Sequence, residues 1–416
     1  MLKALIISVG TGRNREDIAH CICFSISNHP PEFVLFIVTE KSERETLPFV
    51  TSKLSGLKYE KRKISDENDV QTVYTSCKQF IKEIPYKPED IAVDYTSGTK
   101  AMSAGLLLAA IATNVDTIIY IAGKRDTEGR VSLGTESALT FKPNIIYAEN
   151  LFDYAISLFN NIQFDACKET LKKARNTIYE EEFQNKLSLL DKLATIYSEW
   201  DRYNIEKAFN EINTIDKNQM QFLSKWKIKN RIEQNKEFLY KEKNDKFCIE
   251  RAIDLLENAS RRANMEKKYD DAVARLYRLL EYGAQIKLSK KNIYKLVDNE
   301  CLVDFNALSE ELKTKYEKYG ERLPLVRSYE LLEDLGEEIG RFFMEEFNKK
   351  ESMVKKLLGL RNKSILAHGF NPVEENTYLE MENFVVNFLK EFYPEIKNIP
   401  SKIKFPEIFM PEEIGK

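Results

Sequence analysis

A chain of 416 residues is too long for a single compact core and points to two or three domains. Its composition, 43% hydrophobic and 31% charged with only 15 Gly and 12 Pro, is globular and excludes long disordered linkers. A net charge of -3 supplies no global basic field, which argues against a DNA-packaging or coating role and leaves any RNA contact local. Six scattered Cys and three His (His20, His29, His368) lack the paired spacing of a zinc site or a disulfide framework, so no metal is expected and a reducing cytoplasm is the simplest setting. No run approaches membrane-spanning length, and the opening MLKALIISVGTG reads as a first strand rather than a leader.

Up to about residue 146, short β-rich runs alternate with helical ones. The strands are LKALIISVG, EFVLFIVTE, LKYEKRKI, DIAVDYT and DTIIYIAG; the helices are REDIAHCICFSIS, SERETLPFVTSKL, DVQTVYTSCKQFIKEI and KAMSAGLLLAAIATN. Such alternation predicts a Rossmann-like α/β domain with a parallel-rich sheet covered on both faces, and it is compatible with an antiparallel edge. His20, inside an amphipathic helix, and His29, before two prolines, read as structural.

Two glycine loops follow strands in this region. Ser8-Val9-Gly10-Thr11-Gly12 precedes a helix whose start carries Arg13 and Arg15; Asp94-Tyr95-Thr96-Ser97-Gly98-Thr99-Lys100 again joins strand to helix. Small residues let a ligand approach the backbone, and a helix N-terminus favours phosphate. Neither loop is a P-loop or a dinucleotide fingerprint. Each alone serves equally as a tight connection, with Thr96 or Ser97 as a helix cap and Asp94 structural, but two at corresponding strand ends favour ligand binding. The small residues Ala101, Ser103, Ala104 and Gly105 permit the next helix to pack closely on the sheet or on a partner subunit.

After Glu149 the strand patterns vanish and Lys/Glu/Asn-rich helical stretches take over, with no repeat period that would support a solenoid. A second all-helical unit begins near Lys246. The expected division is 1–149, 150–246 and 247–416.

Near the end, LGLRNKSILAHGFNP reads as part of a helix over 352–367, with Val354, Leu357, Leu358, Ile365 and Leu366 as an apolar stripe, Gly369 as its stop and Pro372 beyond. In heptad register Val354, Arg361 and His368 share one position. A cation and an imidazole there need partners or a job. They can be structural, offsetting the dipole of a last turn or pairing a buried carboxylate. They can also act on RNA without a metal, the guanidinium holding a phosphate and the imidazole moving a proton at a ribose oxygen.

Three segments, ISVGTG, DYTSGTKAMSAGLLLAA, and RNKSILAHG preceded by DDAVARLYRLLEYGAQ, together resemble the CARF-HEPN ribonucleases of type III CRISPR systems. The resemblance covers both ends of the chain, with the middle matched only by analogy to the family's helical connectors. It implies a CARF ligand-sensing domain over 1–149, a connector over 150–246 and a HEPN ribonuclease domain over 247–416. The implied activity is that of a metal-independent, single-strand endoribonuclease of antiviral defence, with no cofactor. The implied activator is a cyclic oligoadenylate, a ring of four preferred over a ring of six, bound across a homodimer. By position, Gly10, Thr11, Gly12, Arg13, Thr96, Ser97, Gly98, Thr99 and Lys100 would contact that ring, and in some relatives the same pocket degrades it. The family's Arg, polar residue and His fall on Arg361, Asn362 and His368, a spacing at the upper edge of the family's range. Because one chain supplies a single Arg/His pair, two copies about a twofold axis are expected to share one site, with Val354, Leu357, Leu358 and Ile365 in the seam. The rival readings are a CARF-type sensor or ring nuclease with a non-catalytic helical module, and a nucleotide-binding metabolic enzyme lacking a recognised cofactor fingerprint.

Overall fold

The computed structural model describes residues 2–12, 15–124, 134–176, 180–297, 300–397 and 403–409. Two compact units result, Met1–Tyr154 with Thr170–Leu187, and Ala155–Glu169 with Ser188–Lys416.

In the first unit a six-stranded sheet has the order β3-β2-β1-β4-β5-β6, built from β1 (Ala4–Ser8), β2 (Phe33–Val38), β3 (Lys58–Lys63), β4 (Ile91–Asp94), β5 (Thr117–Ala122) and β6 (Ser137–Phe141). β1 to β5 run parallel and β6 pairs antiparallel with β5, Ile118 facing Phe141 and Ala122 facing Ser137. The Rossmann-like expectation therefore holds, edge included. The alternation of side chains explains the two cores. Ala4, Ile6, Leu35, Ile37, Ile91, Val93 and Ile118 pack with Val73, Cys77, Met102 and Leu106 of the helices Val70–Glu83 and Lys100–Thr113. Leu5, Ile7, Val34, Phe36, Val38 and Ile119 pack on the other face with Ala19, Ile22 and Ile26 of the helix Arg15–Asn28.

Gly105 has a specific packing role. A Cβ there would lie 2.6 Å from Val73 Cγ1 and 2.9 Å from the Tyr74 nitrogen, so its absence lets the helices Lys100–Thr113 and Val70–Glu83 touch. The expected single helix over SERETLPFVTSKL is instead two, Glu40–Glu45 and Leu47–Thr51, because Pro48 starts the second.

The second unit is helical apart from a hairpin of β7 (Tyr294–Val297) and β8 (Glu300–Val303), which corrects the expectation of no strands after Glu149. Four of its helices matter below: Lys229–Asn244, Ile249–Asn264, Tyr269–Lys290 and Met353–Lys363. Among the described residues no helix is long and apolar enough to cross a membrane.

Candidate functional site

The order of the strands reverses between β1 and β4, the place where open α/β sheets bind ligands. The loops after these two strands meet there. A Cβ on Gly10 would lie 2.5 Å from the Gly98 nitrogen and 2.9 Å from its Cα, so only glycine at 10 allows the approach; Gly98 itself sits at φ +114°. Ser8 Oγ donates to the Ser97 carbonyl, tying the loops together. Asp94 is buried at the end of β4 and accepts from the Thr96 N–H (2.8 Å). Burial pushes its carboxyl up, against the pull of hydrogen bonding from Thr96.

Two of the hydroxyls expected to cradle a ligand are occupied structurally. Thr96 Oγ1 accepts from the Ile121 N–H (2.8 Å), while Thr99 caps the helix Lys100–Thr113, accepting from the Met102 N–H (3.1 Å) and donating to the Glu67 carbonyl. The cap is thus Thr99, not Thr96 or Ser97. Thr11, Gly12, Gly98 and Lys100 are exposed, Ser97 is half-buried, and Gly10 is buried beneath the loop junction. Arg13 lies outside the described residues. Sequence reasoning missed a stacked pair beside the second loop, Tyr95 and Tyr120, with ring centroids 5.5 Å apart, and the approach of His20 Nε2 to the half-buried Glu136 (3.2 Å).

In the second unit the helix Met353–Lys363 begins at Ser352, whose side chain accepts from the Lys355 N–H (3.1 Å), and buries Val354 and Leu357 completely. It stops at Lys363, four residues before the predicted end. Ser364 adopts extended geometry and its Oγ donates to the Arg361 carbonyl (2.9 Å), a local side-chain bond that competes with further helix. The turn that follows is closed by backbone bonds from the Ala367 and Gly369 N–H groups to the Ser364 carbonyl (3.1 and 3.2 Å) and from the His368 N–H to the Asn362 carbonyl (3.2 Å). Gly369 is required by contact rather than as a helix stop: a Cβ there would fall 2.0 Å from the Lys363 carbonyl oxygen.

Arg361 and His368 therefore do not share a heptad position on one helix: Arg361 lies in the last turn of Met353–Lys363, and the turn beyond brings His368 back to Asn362. Arg361 is half-buried, with its Cζ 5.3 Å from the centroid of the Tyr277 ring and Nη1 donating to Asn362 Oδ1 (3.1 Å). Asn362 and His368 are exposed. Glu281, also on the helix Tyr269–Lys290, pairs with Arg278 (3.2 Å); burial pushes its carboxyl up while Arg278 and Arg361 pull it back. Tyr277 and Glu281 were not singled out in the sequence, although both lie in the motif DDAVARLYRLLEYGAQ.

The predicted seam changes as well. Val354 and Leu357 are sealed inside the chain, whereas Ile365, Leu366 and Phe370, which flank His368 in the sequence, are 67%, 51% and 89% exposed.

The comparisons agree with this architecture. Residues 240–391, which contain the Arg361–His368 turn, match the family model for the Csm6 HEPN domain. The fold is similar to the solved structure of Enterococcus italicus Csm6 bound to cyclic hexa-2'-fluoro-hexa-dAMP, with TM-score 0.61 and 15% identity over 97% of this chain and 99% of that one. Among curated proteins none matches. The chain is thus similar to Csm6 in two respects, by the HEPN family model over residues 240–391 and by fold over nearly its whole length.

Proposed function

We propose that the protein is a metal-independent single-strand endoribonuclease switched on by a cyclic oligoadenylate, acting in type III CRISPR antiviral defence. Residues 1–149 would sense the ligand, 150–246 connect, and 247–416 cleave RNA. The observation that carries this reading is the turn holding Arg361, Asn362 and His368 close together, with the Arg361 guanidinium hydrogen-bonded, among the described residues, to Asn362 alone.

That arrangement suits ribose-assisted cleavage. One His368 takes the proton of a 2′-hydroxyl, whose oxygen attacks the adjacent phosphorus. The bond to the 5′-oxygen breaks, and that oxygen takes a proton from a second imidazole, leaving a 2′,3′-cyclic phosphate and a 5′-hydroxyl. Arg361 stabilises the charge that develops on the phosphorane oxygens, and Asn362 orients the guanidinium or the substrate. Two imidazoles and one phosphodiester call for two copies of the chain. The exposed Ile365, Leu366 and Phe370, neighbours of His368 in the sequence, would give the twofold seam its apolar surface.

At the other end, Gly10, Thr11, Gly12, Arg13 and Thr96 to Lys100 would form the ring-binding site, with Thr96 and Thr99 shaping the loop rather than offering free hydroxyls. The solved relative carries a hexameric ring analogue, which sets cyclic hexa-adenylate beside cyclic tetra-adenylate as the rings to test. A ligand activates only by favouring the cleaving arrangement over the resting one. Degradation of the ring in the same pocket would need a group other than those two hydroxyls.

A fluorescent single-stranded RNA mixed with the protein and each ring, with and without a metal chelator, tests the proposal. We expect cleavage stimulated by one ring, unaffected by the chelator, and reduced at least a hundredfold in His368→Ala with folding and dimerisation intact. Absence of stimulated cleavage in both proteins would leave only the ligand sensor with a non-catalytic module.

A further inference from the structure

We infer that Tyr277 is a positioning residue that presents the Arg361 guanidinium to phosphate, and that Arg278 protects this presentation by holding Glu281 away from Arg361. The inference rests on the ribonuclease reading above and deepens it.

Tyr277, Glu281 and Gln285 follow one another at four-residue spacing along one face of the helix Tyr269–Lys290. Arg361, which is 84 positions further along the chain than Tyr277, lies over the Tyr277 ring with its Cζ 5.3 Å from the centroid. A guanidinium carries five N–H donors in its plane. Stacking on an aromatic face uses the flat side of the group and leaves the edge donors for a phosphate. Among the described residues only one of those donors is engaged, by Asn362 Oδ1 at 3.1 Å.

A carboxylate partner would do the opposite, occupying the edge that phosphate needs. Glu281 sits one turn beyond Tyr277, and its charge acts on both Tyr277 and Arg361. Yet among the described residues no ion pair joins it to Arg361. Arg278 holds it instead, with Nη1 donating to Glu281 Oε2 (3.2 Å) and Nη2 donating to Gln285 Oε1 (2.9 Å), which anchors the guanidinium on its own helix. The local design is therefore a cation held by a π face, beside an anion already spoken for.

Steady-state RNA cleavage by Tyr277→Phe, Tyr277→Leu, Arg278→Gln and the double variant R278Q/E281Q, beside wild type and H368A, tests this. In Y277L, kcat and kcat/KM fall together by about tenfold, because the lost interaction serves the transition state; Y277F keeps the ring and most of the activity. R278Q loses activity as Glu281 turns to Arg361, and adding E281Q restores it. That restoration is a readout a merely structural Arg278 would not produce. Y277L cleaving as wild type while H368A is inactive overturns the inference and leaves the ribonuclease reading standing, as does Y277F falling as far as Y277L. Equal cleavage by wild type and H368A removes both. Should Y277L fail to fold by thermal melting, the Arg278 and Glu281 variants decide, and unimpaired cleavage by R278Q overturns the inference.

Discussion

Glu242 stands in an environment that opposes its chemistry. It lies on the helix Lys229–Asn244, is fully buried, and neither of its oxygens has a hydrogen-bond partner among the described residues. Burial pushes its carboxyl well up, and the charge of neighbouring Asp254 pushes the same way while Arg251 opposes it. Asp254 itself is satisfied in part, accepting from Trp200 Nε1 (2.9 Å) and facing Arg261 (3.5 Å), and burial raises it also. An acid raised in the folded state holds its proton more tightly there than in the unfolded chain. Its stabilising share is then complete below the ordinary value of 4.5 and is lost as pH climbs toward the raised one, by up to about 1.4 kcal/mol per pH unit. Glu242→Gln removes that slope. Thermal melts should show E242Q gaining on wild type as the buffer moves from acidic to mildly alkaline, and a constant difference across that range would refute the assignment.

At the scale of elements, the turn after the helix Met353–Lys363 decides where the imidazole stands. Apolar spacing continues through Ile365 and Leu366, so periodicity alone extends the helix to 367; the Ser364 side chain and the approach of Gly369 to Lys363 end it sooner. Gly369→Ala should open this turn, because a Cβ only 2.0 Å from a backbone oxygen forces the main chain to move. The expected cost is about 1–3 kcal/mol in a denaturant titration, together with loss of RNA cleavage as His368 leaves Asn362. Wild-type stability in G369A would show that the turn has room to spare. The inner strands β1, β2 and β4 were legible because both faces are buried and each reads as an apolar run, whereas the edge strand β3, KYEKRK, is largely exposed and was recognised by its place in the alternation. β6 was not, since Leu139 and Phe141 point outward at 55% and 41% exposure and the pattern carries no buried face. The four-residue strands of the β7–β8 hairpin are too short to carry a periodic signal at all.

For the whole molecule the proposed reading turns on assembly. Ile365, Leu366 and Phe370 flank His368 in the sequence and are exposed, so under that reading a second copy would cover them and supply the second imidazole. Phe370→Ser should leave the melting temperature of the chain nearly unchanged, as surface substitutions do, while shifting stimulated cleavage to higher protein concentration. A concentration dependence identical to wild type would place the seam elsewhere.

Period and composition alone determined the α/β half, its helical continuation and the two glycine loops, because local spacing records which faces are buried; Arg361 and His368 stood out by residue type, and Asn362 joined them only through the family resemblance. Tertiary structure alone decided that Thr96 and Thr99 spend their hydroxyls on the loop, that Val354 and Leu357 belong to the interior, and that Tyr277 stands under Arg361. The physical reason is distance along the chain. These partners are brought together by packing between segments far apart in sequence, and no local pattern encodes which of several apolar or hydroxyl-bearing residues that packing will claim.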